Sequence, residues 1–297
     1  MWGRDSHDHG KHERDPIKQR SRAALGRRFR QVVDQSQNVH WDTRVLGRIS
    51  PRRAACLTAW ALVESVVKMS EDPLRTDLSV TAEIKLYYDL YVPENVSTPA
   101  PLLIAVHGYG AHKRYMMQEA RTIAPPNFVI ASIQGPHQHF RQTPNGYRVG
   151  FGWLTDHRSE ESVSLHQRFV NDVIERLAAD GIADANDVHL FGFSQACALN
   201  FRYAFTFPNV PKSVIGICGG IPSDLDVNPD YENFEAATFY LFGDDDEFYS
   251  EERFRGFDEK LRSRLPDYRS KQYSGKHEIT EEMRADMRSF LAENGSV

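Results

Sequence analysis

The sequence has few cysteines, and none of its apolar runs is long enough to cross a membrane. Its three cysteines, Cys56, Cys197 and Cys218, are too few for a disulfide framework, and none stands at metal-ligand spacing from another. The nearest candidate for a membrane helix, residues 54–69, contains Glu64 and falls short of the ~18 apolar residues that such a helix needs. These absences argue against a disulfide-stabilised secreted domain and against membrane insertion, and they predict a cytoplasmic protein.

The chain also lacks a basic surplus over most of its length. Residues 70–297 contain 22 Lys and Arg against 34 Asp and Glu, whereas residues 1–69 contain 14 against 7. Because phosphate binding requires a basic face, the acidic body argues against nucleic acid as a partner. No nucleotide-binding or metal-binding motif is present, so no cofactor is expected.

The N-terminal region differs from the rest in composition. We expect residues 1–69 to be a basic, largely disordered extension, because residues 1–53 are polar, rich in arginine and without sustained periodicity. His7, His9 and His12 lie close together in this region, but no cysteine accompanies them, and a solvated tail is the simpler interpretation.

Residues 70–297 are expected to form one folded domain, and Met69 is an alternative start of the native protein. Alternating apolar and polar residues predict a strand in residues 80–93, and continuous apolar runs stopped by Gly predict strands in residues 101–110 and 127–136. Further strands are predicted in residues 187–193, 212–220, 237–244 and 268–274. Helical spacing of apolar residues predicts helices in residues 162–180, 194–205, 251–265 and 277–294. This alternation predicts an α/β domain with a doubly wound, mostly parallel sheet and helices on both faces.

Such sheets bind ligands at the carboxyl ends of their strands, and a serine, a histidine and three aspartates follow strands here. Ser194 lies between the strand VHLFGF and a helix, where a sharp turn would expose it. A serine needs an oriented base, and His277 follows the strand YRSKQYS at the start of the last predicted helix. Asp244, Asp245 and Asp246 follow the penultimate strand, and from the residues alone all three remain candidates to orient the histidine.

Backbone N–H groups that would hold an oxyanion are found in two further places. The segment HGYG, residues 107–110, follows an early strand and offers the N–H of Tyr109 between two glycines. Gln195, directly after Ser194, offers a second N–H at the start of a helix. Four separate segments thus supply the groups that acyl transfer at Ser194 requires. Their joint occurrence is stronger evidence than the sequence around Ser194 alone.

The segments VHGYG, GFSQACAL, GDDD and GKHEIT together resemble the phospholipase/carboxylesterase family of the α/β-hydrolase superfamily, which includes acyl-protein thioesterases. This resemblance extends over about residues 80–295 and implies an α/β-hydrolase fold with a carboxylesterase-like serine hydrolase activity. It implies Ser194 as nucleophile, His277 as general base and acid, and Asp246 as the orienting carboxylate, with the N–H groups of Tyr109 and Gln195 in the oxyanion hole. Two departures are Ala196, where the family has glycine, and Glu247, where it often has proline.

Other side chains near the strand ends have less specific interpretations. A histidine in the place of His107 is expected to hydrogen-bond the loop backbone rather than to take part in chemistry. His137 and His139 either line the pocket or lie on a surface loop, and the sequence does not choose between these. Trp153 is a candidate wall of an acyl pocket, together with Tyr109 and Phe193.

The expected partner is a small-molecule ester or thioester, and the sequence does not indicate the oligomeric state. Alternatives within the same scaffold are a thioesterase or lysophospholipase, a peptidase, or a lactone hydrolase, although the last usually has cysteine as its nucleophile. A non-catalytic binding protein with a hydrolase fold is the alternative from another class, and the Ser, His and Asp set argues against it.

Overall fold

The computed structural model describes residues 74–295 of the chain. The chain divides into two units, residues 1–80 and residues 81–297. In the first unit the described residues, 74–80, form neither helix nor strand. The extension predicted for residues 1–69, with its histidines and Cys56, lies outside the described residues.

The second unit alternates strands and helices along the chain. Within the described residues its strands are Tyr88–Tyr91 (β1), Ala100–Val106 (β2), Val129–Ile133 (β3), His137–Thr143 (β4), Gly146–Gly152 (β5), Ala183–Phe193 (β6), Pro211–Ile217 (β7), Ala237–Gly243 (β8) and Tyr268–Tyr273 (β9). Its helices are Lys113–Ile123 (α1), Ser159–Ala179 (α2), Gln195–Thr206 (α3), Glu251–Arg264 (α4) and Glu281–Asn294 (α5). None of the helices between residues 74 and 295 has the length and apolar character needed to cross a membrane.

The described strands other than β4 and β5 form one sheet in the order β1-β3-β2-β6-β7-β8-β9. The edge strand β1 is antiparallel to β3, and all other neighbours are parallel. The winding direction reverses between β2 and β6, and a crevice opens at such a reversal beyond the carboxyl ends of the strands. The loops after β2 and β6, which carry Tyr109 and Ser194, therefore start at this reversal.

Both faces of the sheet are covered by helices, as the sequence predicts. Alternate residues of β2 point to opposite faces, so Leu102 and Ile104 pack with α2, α3 and α4 while Leu103 and Ala105 pack with α1 and α5. Such burial on both faces explains the continuous apolar runs of the central strands. Cys197 and Cys218 lie in these two cores as free thiols, and burial raises the pKa of Cys218 to about 12.

Several predicted boundaries differ from the observed ones, and two of the differences bear on the edge of the sheet and on the site. The strand predicted for residues 80–93 is limited to Tyr88–Tyr91, because its only described partner in the sheet, β3, is itself five residues long. The last helix begins at Glu281 with Thr280 as its N-cap, so His277 lies in the preceding loop rather than at the helix start.

Helix α1 and the hairpin of β4 and β5 were not predicted. In α1 the buried face includes Glu119, which interrupts the apolar pattern and forms a two-fold ion pair with Arg284 of α5 at 2.8 and 3.0 Å. Strand β4 is polar and without alternation, since most of its residues are exposed. The turn signal Asn145-Gly146, with Gly146 at φ 103°, marked the hairpin and was missed.

His166 on α2 makes the stability of the fold sensitive to acid. Its ring packs edge-on against Trp153, and neither ring nitrogen has a hydrogen-bond partner among the described residues. Burial lowers its pKa from 6.5 to about 3, so between these values the unfolded chain binds a proton that the folded chain does not. The contribution of His166 to stability is therefore present above pH 6.5 and is lost as pH falls toward 3.

We expect His166→Phe to flatten this dependence by up to about 1.4 kcal/mol per pH unit below pH 6, because phenylalanine has no proton to take up. Urea unfolding of both proteins at pH 7.5, 5.5 and 4.5 measures the difference in slope. Equal slopes for the two proteins would show that His166 is protonated as readily in the folded state as in the unfolded state.

Candidate active site

Ser194 occupies a strained turn between β6 and α3. Its backbone is at φ 59° and ψ −118°, a conformation that costs a residue with a side chain about 1–3 kcal/mol. The strand and helix hold it there, and its N–H donates to the carbonyl of Ile217 on β7 at 2.8 Å. The result is a half-buried hydroxyl at the open end of the sheet, next to the N-terminus of α3.

The close packing around this turn depends on two glycines, Gly192 of the serine motif and Gly219 beyond the end of β7. A Cβ atom on Gly219 would lie 2.2 Å from the carbonyl oxygen of Ser194, and one on Gly192 would lie 3.0 Å from that of Ala196. The methyl group of Ala196 is itself fully buried in the core. The core therefore accommodates a methyl group at this position, where the family has glycine.

His277 links the serine to an aspartate. Its Nε2 lies 2.8 Å from Ser194 Oγ, and its Nδ1 lies 2.8 Å from Asp246 Oδ2. The rings of Phe193 and Phe248 pack on the imidazole with centroids 4.9 and 4.7 Å away, and the His277 side chain is only 10% exposed. The imidazole is therefore held in one position by hydrogen bonds at both nitrogens and by aromatic contacts.

The three aspartates after β8 have different surroundings. Asp246 is the one in contact with His277, its side chain is fully buried, and its Oδ1 accepts the N–H groups of Phe248 and Tyr249 at 2.8 and 3.0 Å. Asp244 Oδ1 instead accepts the N–H of Gly275, and Asp245 is exposed. The residues alone left all three open, the family resemblance implied Asp246, and Asp246 is the aspartate whose carboxylate faces the histidine.

Glu247, at the position where a proline was expected from the family pattern, closes the same turn. Its Oε2 accepts the main-chain N–H of His277 at 3.1 Å. The loop that carries the histidine is thus fastened to the loop that carries Asp246 by a backbone contact as well as by the side-chain contact.

Two backbone N–H groups beside Ser194 are free to bind a ligand. Among residues 74–295, no acceptor receives a hydrogen bond from the N–H of Tyr109 or from that of Gln195. Gln195 is the first residue of α3, where helical N–H groups have no partner within the helix. Its side chain holds the neighbouring loop, accepting the N–H of Trp153 and donating to the carbonyl of Leu154, both at 2.9 Å.

His107 and Trp153 brace the loop that carries Tyr109. His107 Nδ1 lies 2.8 Å from the carbonyl oxygen of Gly108, and Nε2 accepts the N–H of Gly135 at 2.9 Å. Burial lowers the pKa of His107 to about 4, so the ring is neutral at pH 7. The indole N–H of Trp153 donates to the His107 carbonyl at 2.8 Å. Hydrogen bonding to the loop backbone is the role expected for His107.

The profile of the phospholipase/carboxylesterase family matches residues 89–294, which include every residue of this arrangement. The chain belongs to this family. No sequence among curated proteins matches it significantly.

Solved structures with the same fold include several members and relatives of this family. Esterase PE8 is 20% identical with a TM-score of 0.58, and the match covers 71% of this chain and all of that one. A Bacillus cereus carboxylesterase is 16% identical with a TM-score of 0.55, covering 70% and 94% of the two chains. Zea mays acyl-protein thioesterase 2 is 15% identical with a TM-score of 0.52, covering 70% and 98%. At these identities the likeness establishes the α/β-hydrolase fold.

In this member of the phospholipase/carboxylesterase family, Ser194 and His277 open onto a cleft of about 970 Å³. Tyr109 and Phe193 line it, as expected, but Trp153, His137 and His139 are not among the described residues that do so. Trp153 is buried behind the loop, His139 stacks on Tyr109 at 4.7 Å, and His137 is exposed beside Ser162. Of the two interpretations left open for the histidines, the exposed position of His137 fits a surface segment, and Trp153 packs beneath the loop instead of forming a wall of the cleft.

Several lining residues escaped sequence reasoning. They come from the hairpin, from α3, and from the loop and first turn around α4, and they are Arg141, Arg202, Phe248, Tyr249 and Arg253. No local motif marks them, since each reaches the cleft only through the folding of its segment. Within residues 74–295, no group of three or more His, Cys, Asp and Glu side chains is placed to hold a metal ion.

A second Ser, His and Asp set lies within the sheet of the protein. His189 Nδ1 is 2.7 Å from Ser213 Oγ, and its Nε2 is 2.8 Å from Asp187 Oδ1. All three side chains are buried, and Ser213 and His189 stand inside strands rather than at their carboxyl ends. The contacts of this set satisfy buried polar groups, and neither Ser213 nor His189 is exposed to a ligand.

Proposed function

We propose that the protein is a serine hydrolase that cleaves carboxylic esters through an acyl-enzyme. Ser194 is the nucleophile, His277 the general base and acid, and Asp246 the orienting carboxylate. The observation that carries the proposal is the continuous chain of contacts from Asp246 Oδ2 through both nitrogens of His277 to Ser194 Oγ, each 2.8 Å long. Ser194 and His277 line a cleft, whereas Ser213 and His189 of the buried set do not.

The geometry supports an ordered transfer of one proton. Asp246 stabilises the tautomer of His277 with its proton on Nδ1, which leaves the lone pair of Nε2 for the hydroxyl proton of Ser194. As Oγ attacks the ester carbonyl, Nε2 takes that proton, and the carbonyl oxygen becomes an oxyanion. Collapse of the intermediate breaks the bond to the alkoxy group, which takes the proton from Nε2 and leaves as the alcohol.

The N–H groups of Tyr109 and Gln195 are the donors that we assign to the oxyanion. Both residues line the cleft with Ser194, and both N–H groups lack an acceptor among the described residues. Water then attacks the acyl carbonyl as Nε2 of His277 takes its proton, and collapse of the second intermediate breaks the bond between the acyl carbon and Oγ. The carboxylic acid leaves, and Oγ of Ser194 takes the proton back from Nε2. Fixed donors of this kind are worth about 10²- to 10³-fold in rate each.

A thioester is the second substrate class that this site can accept. Its carbonyl would meet the same serine and N–H donors, and one solved structure with the same fold is an acyl-protein thioesterase. The two classes differ in the leaving group, which departs as a thiol or as an alcohol.

A fluorophosphonate probe tests the proposal directly, because it reacts with a serine only when a base activates the hydroxyl. We expect the probe to label Ser194 on the tryptic peptide that contains it, and the protein to hydrolyse 4-nitrophenyl acetate and butyrate. Competition with acyl thioesters then ranks the two leaving groups. Folded protein that neither reacts with the probe nor hydrolyses any of these substrates would favour a binding protein on this scaffold.

A further inference from the structure

We infer that the natural substrate carries an anionic group, a carboxylate or a phosphate, and that Arg141 and Arg253 bind it in the cleft. This inference rests on the proposed ester hydrolysis and names the class of ester. It is carried by three observations, namely the charge of the cleft, the position of Arg141 on the hairpin and the position of Arg253 on α4.

The charge of the cleft is opposite to that of the domain around it. Residues 70–297 have twelve more acidic than basic residues, yet the residues that line the cleft include three arginines and a single carboxylate, that of Glu278. Low-dielectric walls concentrate such a local field, and a site of one sign raises the concentration of substrates of the other. The cleft thus attracts anions although the domain as a whole repels them.

The charge of Arg202, one of the three arginines in the cleft, is balanced by a carboxylate of the protein itself. Arg202 forms an ion pair with Asp224, and its Nη1 donates to the hydroxyl of Tyr231 at 2.6 Å. Arg141 and Arg253 differ, because neither forms an ion pair with any carboxylate among residues 74–295. The positive charges of Arg141 and Arg253 can therefore interact with a ligand.

The hairpin holds Arg141 over the loop that carries Tyr109. Residues 139 and 141 share one face of β4, where His139 stacks on Tyr109 at 4.7 Å. A Cβ atom on Gly110 would lie 3.4 Å from Nη1 of Arg141, so the guanidinium lies against the loop. An anionic group bound there would lie close to the N–H that we assign to the oxyanion.

The hairpin register places a second arginine beside the first. Arg141 on β4 is directly opposite Arg148 on β5, and both are exposed. Like charges opposite each other destabilise a strand pair, so this pairing costs the free protein stability. An anion bound at Arg141 offsets this repulsion, which contributes to binding.

Arg253 is located in the first turn of α4, whereas Arg141 belongs to the hairpin. The guanidinium carbon of Arg253 is 5.0 Å from the ring centroid of Tyr249 and 5.8 Å from that of Phe257. The aromatic rings fix the side chain at the cleft, where Tyr249 is also a lining residue. The helix dipole disfavours a cation in the first turn, so the dipole of α4 does not stabilise the charge of Arg253.

Three chromogenic esters with the same leaving group test the inference. They are 4-nitrophenyl butyrate, mono-4-nitrophenyl succinate and 4-nitrophenyl 3-phosphonopropanoate, so the end of the acyl chain is a methyl, a carboxylate or a phosphonate. We expect kcat/KM for one or both charged esters to exceed that for butyrate by about tenfold or more, the value of one charge-assisted hydrogen bond. The ratio of the two charged esters distinguishes a carboxylate from a phosphate as the natural group.

The arginine variants assign the preference to these side chains. Arg141→Gln and Arg253→Gln are each expected to lower the ratio of charged to neutral kcat/KM by about tenfold, and the lysine variants to retain part of it. Arg255→Gln is the matched control, because Arg255 is an exposed residue of the same helix that pairs with Glu251 outside the cleft. The control ratio should equal that of the wild type, and the preference of the wild type should weaken with added salt.

Hydrolysis of butyrate with no preference for the charged esters, or a preference that both glutamine variants retain, overturns the inference and leaves ester hydrolysis intact. Binding of monomethyl succinate to Ser194→Ala protein, measured by calorimetry, is independent of catalysis, because this alkyl ester is stable in solution. If no ester is hydrolysed but this binding is weakened by Arg141→Gln and Arg253→Gln, the proposed function fails and the anion site stands. If monomethyl succinate does not bind, the anion site fails too.

Discussion

Ser194→Ala is expected to lower kcat/KM for 4-nitrophenyl butyrate by about 10⁴- to 10⁶-fold, the range found when a serine nucleophile is removed from such a site. The variant keeps the N–H donors and the cleft, but it has no oxygen that can form the acyl-enzyme. The remaining rate is that of water attack on a bound ester. Steady-state hydrolysis and the loss of fluorophosphonate labelling both measure this effect.

The chain offers a matched control in its own buried set. Ser213→Ala also removes a serine hydroxyl hydrogen-bonded to a histidine, yet this hydroxyl is fully buried in the sheet. We expect Ser213→Ala to lose stability, because His189 loses a partner, and to keep kcat/KM near the wild-type value. Equal activity losses in the two variants would show that the effect of Ser194→Ala comes from folding rather than from chemistry.

Asp246→Asn is expected to lower kcat by about 10⁴-fold, as the corresponding change does in a serine protease. An amide does not hold the imidazole proton on Nδ1 as a carboxylate does, so the tautomer that presents a lone pair to Ser194 is no longer favoured. The imidazolium that forms during attack also loses its counter-charge. Binding of substrate does not involve Asp246, which is buried behind His277, and KM should change far less than kcat.

Asp245→Asn is the control for this change, because Asp245 carries the same charge one residue earlier and is exposed. It should retain nearly full activity. Asp244→Asn tests the turn, since Asp244 Oδ1 accepts the N–H of Gly275 in the loop that carries His277. If Asp246→Asn retained full activity, Asp246 would not be the orienting carboxylate.

Much of the fold could be predicted because the central strands are buried on both faces. Runs such as Leu102–Val106 have no polar position to interrupt them, and the helices between them carry apolar residues at helical spacing. The elements that were not predicted are those in which a polar residue is buried or an exposed strand lacks alternation. Helix α1 buries Glu119 against Arg284, a pairing 165 residues apart that no local pattern reveals.

The candidate site divides in a similar way. Ser194 and His277 could be singled out from the strand ends, because the topology of a parallel sheet brings those ends to one edge. The lining residues could not, since Arg141 reaches the cleft only through the register of a hairpin and Arg253 only through the rotation of α4. For the same reason the sequence does not decide whether His137 and His139 line the cleft, and it does not show that Trp153 is buried behind the loop.

The sequence by itself determined the doubly wound sheet, the family, and the segments whose strand ends carry the reactive residue types. Periodicity and short motifs act over a few residues, and the order of strands and helices follows from them. The family resemblance implied Asp246 among three adjacent aspartates, but only the tertiary structure decided which of two Ser, His and Asp sets opens to the cleft and which arginines line it. Those outcomes depend on side-chain direction and on contacts between segments far apart in the chain, and local sequence carries no record of either.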